Sequence, residues 1–226
     1  VLIVTSSSRR SSAAAATRNE LLPAPTLPDE SRRSFQGDDG YRSVKVKLIG
    51  ASPLLMHSSR LVNSLDPLTK ELRKIGKKRG RTDADTEYMA RLEFVGGLWL
   101  DAGAPCIPGE AIETAFVQAA RKSKRGSQAR AGILAPDNWP LRYDGPRSAQ
   151  ELWDDERFRF IVPVRVGTSR LMRTRAVFRN WEAEGVLNYL DDQFDEADVI
   201  EILQTAGRII GVGDWRPRFG RFEVEG

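Results

Sequence analysis

The chain has 226 residues, 40% of them hydrophobic and 29% charged, with a net charge of +4. That length holds one large domain, or an ordinary domain with a tail and an insertion, and the composition indicates neither disorder throughout nor a membrane protein. Its apolar runs are broken well short of a membrane span, and the single cysteine, Cys106, excludes an internal disulfide or a multi-cysteine zinc site and fits a reducing cytoplasm.

Residues 1–41 are rich in Ser, Ala, Pro and Arg without apolar periodicity, and read as a disordered or loosely packed leader. The arginines follow the apolar start, the reverse of a secretory signal, although Arg, Ser and Ala are also the makings of a mitochondrial presequence. From residue 42 to 226 the chain reads as one domain. SVKVKLIG alternates Val44, Val46 and Leu48 with Lys45 and Lys47, as a half-buried strand does, and Pro53 ends it. An insertion over about 57–98 holds two helices, one opened by Asp66 and Pro67 and the other capped by Thr82. Trp99 and Leu100 are extended. A helix then starts at Gly109 or Glu110 with Ile112, Ala115, Phe116 and Ala119 on one face and Arg121, Lys122, Lys124 and Arg125 at its basic end. After a Pro- and Gly-rich connection, Pro136 to Pro146, strands are expected at 158–167 and 181–190, with the arginine-rich TSRLMRTRAVFRN between them. Asp195 caps a last helix with Val199, Ile202, Leu203 and Ile209 as its apolar stripe, and the chain closes on a glycine loop and the strand RFEVE.

Without the insertion the order is strand, helix, strand, strand, helix, strand: an α+β, ferredoxin-like (RRM-like) arrangement with two core helices on one face of an antiparallel sheet. The other sheet face is left for a partner or a second layer.

Charge is segregated along this chain. Lys70 to Arg81 carries seven bases against one acid, Arg165 to Arg179 five arginines and no acid, and Asp191 to Glu201 six acids and no base. Such runs are either solvated surface or basic faces for a polyanion opposed to an acidic face. In the C-terminal loop, Gly211, Gly213 and Gly220 allow sharp turns, and Trp215 and Phe219 alternate with Arg216, Arg218 and Arg221. Arginine forks pair with phosphate and aromatic faces stack on bases, so a flexible loop of this kind suits a nucleic-acid strand. The plainer reading is a turn into an edge strand with solvated arginines.

Two motifs now stand at corresponding places. APCIPGEAIETAFVQAAR (104–121) resembles the IPGSSLKGALR-type motif of RAMP proteins, and GVGDWRPRFGRF (211–222) resembles their GxGxxxxxGRF loop. The resemblance is to the RAMP superfamily, in particular Cas7-like backbone subunits of CRISPR effector complexes, and to short RAMP-like proteins of phages and other mobile elements. It covers about 44–225. It implies a modified RRM fold that assembles head to tail along a guide RNA beside other effector subunits; the residues themselves lead us to expect no cofactor, no membrane contact and no catalysis. The alternatives are a phage protein that binds single-stranded DNA or serves assembly, and a metal-dependent ribonuclease. Glu110 and Glu113 stand where the family has small hydroxyl residues and lysine, and two carboxylates repel phosphate there.

By the resemblance, Lys74, Lys77, Lys78, Arg79 and Arg81 neutralise phosphates in the insertion, with Arg121, Lys122, Lys124 and Arg125 as a further basic patch. Arg170, Arg173, Arg175 and Arg179 lie at the family's thumb, a hairpin that inserts between bases, where Leu171 or Met172 is a candidate wedge. The plainer place for Met172 is packing beneath the hairpin. Trp215, Arg216, Arg218, Phe219 and Arg221 bind the strand, with Asp214 holding one of the arginines and burial in the core the commoner fate of a tryptophan. The acidic run 191–201 is a candidate contact for a neighbour's basic patch. For catalysis the only candidates are Asp66, whose Asp-Pro setting equally suits a helix start, and the sole histidine, His57, which equally suits a turn. No metal site is expected.

Overall fold

The computed structural model describes residues 40–166 and 169–225, and at 164–166 and 169–171 the backbone alone. The expected leader lies outside these residues, apart from its last two. Strand β1 (Tyr41–Gly50) forms as its alternation requires, with Val44, Val46 and Leu48 buried and Lys45 and Lys47 on the opposite face. It is followed by β2 (Leu54–Met56), α1 (Pro67–Gly76), α2 (Asp83–Gly97), β3 (Leu100–Asp101), β4 (Ala104–Ile107), α3 (Gly109–Ala120), α4 (Gly126–Gly132), β5 (Ile133–Leu134), β6 (Trp139–Arg142) and α5 (Ala149–Asp154). Then come β7 (Arg159–Val166), β8 (Ser169–Phe178), β9 (Glu182–Leu190), α6 (Glu196–Thr205) and β10 (Phe222–Glu225).

The main sheet runs β10-β1-β9-β6-β4-β3, every pair antiparallel, and β5 also pairs with β9. This α+β sheet with its helices is compatible with a ferredoxin-like fold. Helices α3 and α6 pack together, with α6 against β10. Ile112, Ala115 and Phe116 of α3 and Val199 and Leu203 of α6 are sealed from solvent there, and Phe116 meets Phe194 edge-on at 6.0 Å. The opposite face of the sheet is a charge ladder at its centre. Lys45 pairs with Glu184, Lys47 with Glu182 (3.2 Å) and Glu225 (3.5 Å), and Arg142 with Glu184 (3.1 Å).

The segment expected at 158–167 is a strand but not a strand of this sheet. β7 pairs with β8 as a hairpin, and β2 joins β8 from the other side to make a separate sheet, β2-β8-β7. The place beside β9 is taken by β6, inside the stretch read as a connection, through Leu141↔Ala183 and Arg142↔Glu182. Trp139 and Leu141 are buried and alternate with the exposed Pro140 and Arg142, so the period of two is present, but in only four residues and across a proline. The arginine run expected between strands is itself β8.

The last helix also departs from expectation. Val199, Ile202 and Leu203 are buried, but Ile209 is 41% exposed. A π-helical turn over Ala206–Ile210 adds a residue to the winding and rotates Ile209 outward, leaving Ile210 packed on the core. Among the described residues no helix is long and apolar enough to cross a membrane.

Candidate nucleic-acid interface

The glycine loop is a latched structure, not the flexible one its composition predicts. Gly211, Gly213 and Gly220 have φ of +77°, +87° and +72°, and at Gly220 a Cβ would overlap the Val212 carbonyl. Val212 N–H donates to Gly220 O (2.9 Å), Gly220 N–H to Pro53 O (2.8 Å) and Asp214 N–H to Leu55 O (2.7 Å). Both ends of the loop are thereby fixed to β2 and the residue before it. Between them the chain carries a cis Arg216–Pro217 bond, and Trp215 adopts φ +53°, unusual for so large a side chain.

Trp215, Phe219 and Phe160 of β7 form an aromatic trio with centroids 5.4–6.3 Å apart. Trp215 is nevertheless 41% exposed, so its fate is neither full burial nor free solvation. Arg216 and Arg218 are exposed beside it and have no ion-pair or hydrogen-bond partner among the described residues. Arg221 differs: its Nε donates to Pro217 O (2.8 Å) and its N–H to Ser52 Oγ (2.9 Å), so it closes the loop.

The hairpin arginines are held internally. Arg173 pairs with the buried Glu93 of α2, whose other oxygen accepts Thr174 N–H (3.1 Å). Arg175 Nε donates to Asp214 Oδ2 (3.2 Å), which ties hairpin to glycine loop. Arg179 donates to the Arg157 carbonyl. The side chains of Arg170 and Leu171 lie outside the described residues. Met172 does not pack beneath the hairpin: it is 61% exposed, opposite the exposed Pro163 and on the face that carries exposed Ile161. Glu93 is the residue that sequence reasoning missed, and its signal was an acid inside the otherwise apolar LEFVGG.

His57 follows β2 at the position that continues the pairing toward Arg175. Burial pushes its imidazole below the usual value and Arg175 adds to this, while Asp214 and Glu93 pull the other way. Asp66 caps α1, accepting Leu68 N–H (2.8 Å) and Thr69 N–H (3.2 Å) and pairing with Arg60 at 2.6 Å. Both of its carboxylate oxygens are engaged by these contacts. Among the described residues no group of three or more His, Cys, Asp or Glu side chains is placed to hold a metal ion.

The remaining cations divide in the same way. Lys78 pairs with Asp85 (2.6 Å) inside the α2 capping box, and Arg81 reaches Met89 Sδ (3.5 Å). Lys74, Lys77 and Arg79 are exposed, with Glu71 3.8 Å from Lys74. Arg125 forks onto Asp198 (2.6 and 3.1 Å), donates to Gln193 O (2.7 Å) and lies over the Phe194 ring, so it joins α4 to α6. Arg121, Lys122 and Lys124 are exposed. In the acidic run, Asp191 takes Arg42 (3.0 Å), Asp195 caps α6 and Asp198 takes Arg125, which leaves Asp192, Glu196 and Glu201 unpaired among the described residues.

At the start of α3, Gly109 passes so close to the Ala135 and Asp137 carbonyls that no Cβ fits. Glu113 accepts Ala135 N–H (2.7 Å). The IPG segment thus seats the helix against 135–137, and Glu113 serves that contact.

No protein-family model matches the sequence, and no curated protein does. Among solved structures the chain is similar to Cmr6 from Pyrococcus furiosus, with 12% identity and a TM-score of 0.33, over 84% of this chain and 100% of that one. So distant a likeness assigns no residue a role.

Proposed function

We propose that this protein binds a nucleic-acid strand without cleaving it, through the latched glycine loop. The observation that carries the reading is the pairing state of its cations. Arg173, Arg175, Arg179 and Arg221 are engaged by the protein's own groups, whereas Arg216 and Arg218 project, without a partner among the described residues, from a loop that three glycines, three backbone hydrogen bonds and an aromatic trio hold in place. Holding two guanidinium groups beside an exposed indole in advance removes much of the ordering cost of binding phosphate and base.

The sheet face does not compete for this role. Its bases are neutralised by Glu182, Glu184 and Glu225, so a phosphate there would have to displace existing ion pairs. The hairpin contributes Ile161, Pro163 and Met172 as exposed apolar surface suited to contact with bases rather than phosphates.

The finer reading follows from the two motifs. The IPG segment opens α3 and the glycine loop precedes β10, the placement that RAMP proteins use, with the β7–β8 hairpin between β6 and β9 in the chain. On this reading the protein is an RRM-like, Cas7-like backbone subunit that assembles head to tail along a guide RNA in a CRISPR-type ribonucleoprotein in the cytoplasm. Purifying the protein with its nucleic acid and sequencing the strands tests it. Uniform short RNAs with a shared end are expected. Heterogeneous DNA strands would move the protein to the phage alternative, and the absence of any nucleic acid at low salt would overturn both.

A further inference from the structure

At the glycine loop two cations are without a partner among the described residues, yet the insertion concentrates more positive charge than any other part of the described chain. Seven bases fall between Lys70 and Arg81. The structure sorts them. Helix α1 buries Leu68, Thr69 and Ile75, and its exposed side presents Lys70, Arg73, Lys74 and Lys77. These stand at i, i+3, i+4 and i+7, the spacing that puts four side chains on one stripe of a helix. Lys78 and Arg81 turn away to Asp85 and Met89.

Four like charges on successive turns repel one another, and elsewhere this chain neutralises such groups: Arg125 with Asp198, Arg173 with Glu93, Lys45 with Glu184. Here, among the described residues, the stripe has one ion pair, Lys74 with Glu71 at 3.8 Å, and Lys70, Arg73 and Lys77 have no partner. Part of the charge suits the helix dipole, since Arg73 and Lys74 lie in the last turn, but Lys70 is in the first half and gains nothing from it. The stripe is also firmly mounted. Asp66 caps α1, Arg60 fixes Asp66, and Thr69 Oγ1 donates to Arg60 O (3.0 Å).

We propose that this face of α1, with Lys70, Arg73 and Lys74 on the helix and Lys77 at its C-cap, is a second phosphate-binding surface for the backbone of a nucleic-acid strand. The inference rests on the nucleic-acid reading above. From residue 70 to 77 the helix advances about 10 Å, enough to face two or three successive phosphates. A lipid surface fits less well. A helix lying on a membrane turns its apolar face into the lipid, and the apolar face of α1 is buried on the protein, with exposed Val62 and Leu65 confined to the preceding turn.

The test compares three proteins by fluorescence anisotropy against one labelled single-stranded RNA over a salt series: wild type, Lys70→Ala/Arg73→Ala/Lys77→Ala, and Arg216→Ala/Arg218→Ala. Alanine favours the helix, and unchanged circular dichroism and melting confirm that the stripe variant is folded. With about 0.7 counterions released per phosphate, losing two or three contacts makes the slope of log Kobs against log salt shallower by about 2. Between about 50 and 200 mM salt the wild type then loses about 16-fold more affinity than the stripe variant. Lys70→Arg/Lys77→Arg should keep the wild-type slope. An unchanged slope and affinity in the stripe variant, with wild type binding normally, overturns this inference alone. No binding by wild type at low salt overturns the parent reading and this inference with it. Stripe-dependent sedimentation with phosphatidylserine vesicles, without a stripe effect on RNA, assigns the surface to lipid and also overturns it.

Discussion

Replacing Glu93 with glutamine tests whether the hairpin is held by a buried charge. The side chain is 6% exposed, pairs with Arg173 and accepts Thr174 N–H at 3.1 Å. Glutamine keeps the shape and an oxygen for Thr174 but leaves a guanidinium in the protein without its counter-charge. Removing one partner of a buried pair costs about 3–5 kcal/mol, and because the Arg173 side chain keeps 29% exposure and can draw on water, the low end applies, about 3 kcal/mol. For a domain of this size that lowers Tm by roughly 6–12 °C. Urea and thermal unfolding followed by circular dichroism measure it. Arg173→Met removes the stranded cation, so the double variant should recover about 2 kcal/mol relative to the sum of the single effects. A single-variant loss below about 1 kcal/mol, or strict additivity in the double variant, would refute the claim that this pair locks α2 to the hairpin.

Gly220→Ala, where a Cβ meets the Val212 carbonyl at φ +72°, should cost at least about 2 kcal/mol in urea denaturation, whereas Gly80→Ala, at φ +65° with nothing within 4 Å, should cost about 1. Equal losses would show that the loop is not closely packed. His57 has its imidazole pushed down from 6.5 by burial and by Arg175, so below that pH the unfolded chain binds a proton that the folded protein refuses. Stability should therefore fall as pH drops from about 6.5 toward the lowered value, and His57→Gln should flatten that stretch of the curve; an identical pH profile would refute the half-buried placement beside Arg175. Asp85, pulled down from 3.8 to about 2 by hydrogen bonds from Lys78 and then Thr82, should keep the α2 cap through pH 4 and lose it only as pH falls through about 2. Titration of its carboxyl carbon by NMR checks this, and a midpoint near 3.8 would contradict it.

The elements legible in the sequence were those with long periodicity or an explicit cap. β1, α1, α2, α3, β9 and α6 stand where alternation, Asp66, Thr82 or Asp195 placed them. Short elements were not legible: β2 has three residues, β6 has four and includes Pro140, and α5 is announced only by Ser148, whose Oγ accepts Glu151 N–H at 3.2 Å. The β7–β8 hairpin was misplaced because a strand's partner is not encoded in its own pattern. In the site, the residue types of the glycine loop were readable, but the pairing state of each arginine was not. It depends on acids remote in the chain, Glu93 for Arg173 and Asp214 for Arg175, 80 and 39 positions away.

On the proposed function, Arg216 and Arg218 grip the strand while Arg221 closes the loop. The most direct measurement is the salt dependence of single-stranded RNA affinity for Arg216→Ala/Arg218→Ala against wild type, with melting as the control for folding. Loss of two phosphate contacts predicts weaker binding and a slope shallower by about 1.4, at an unchanged Tm. Wild-type affinity and slope in that variant would mean that the strand is not held at the glycine loop.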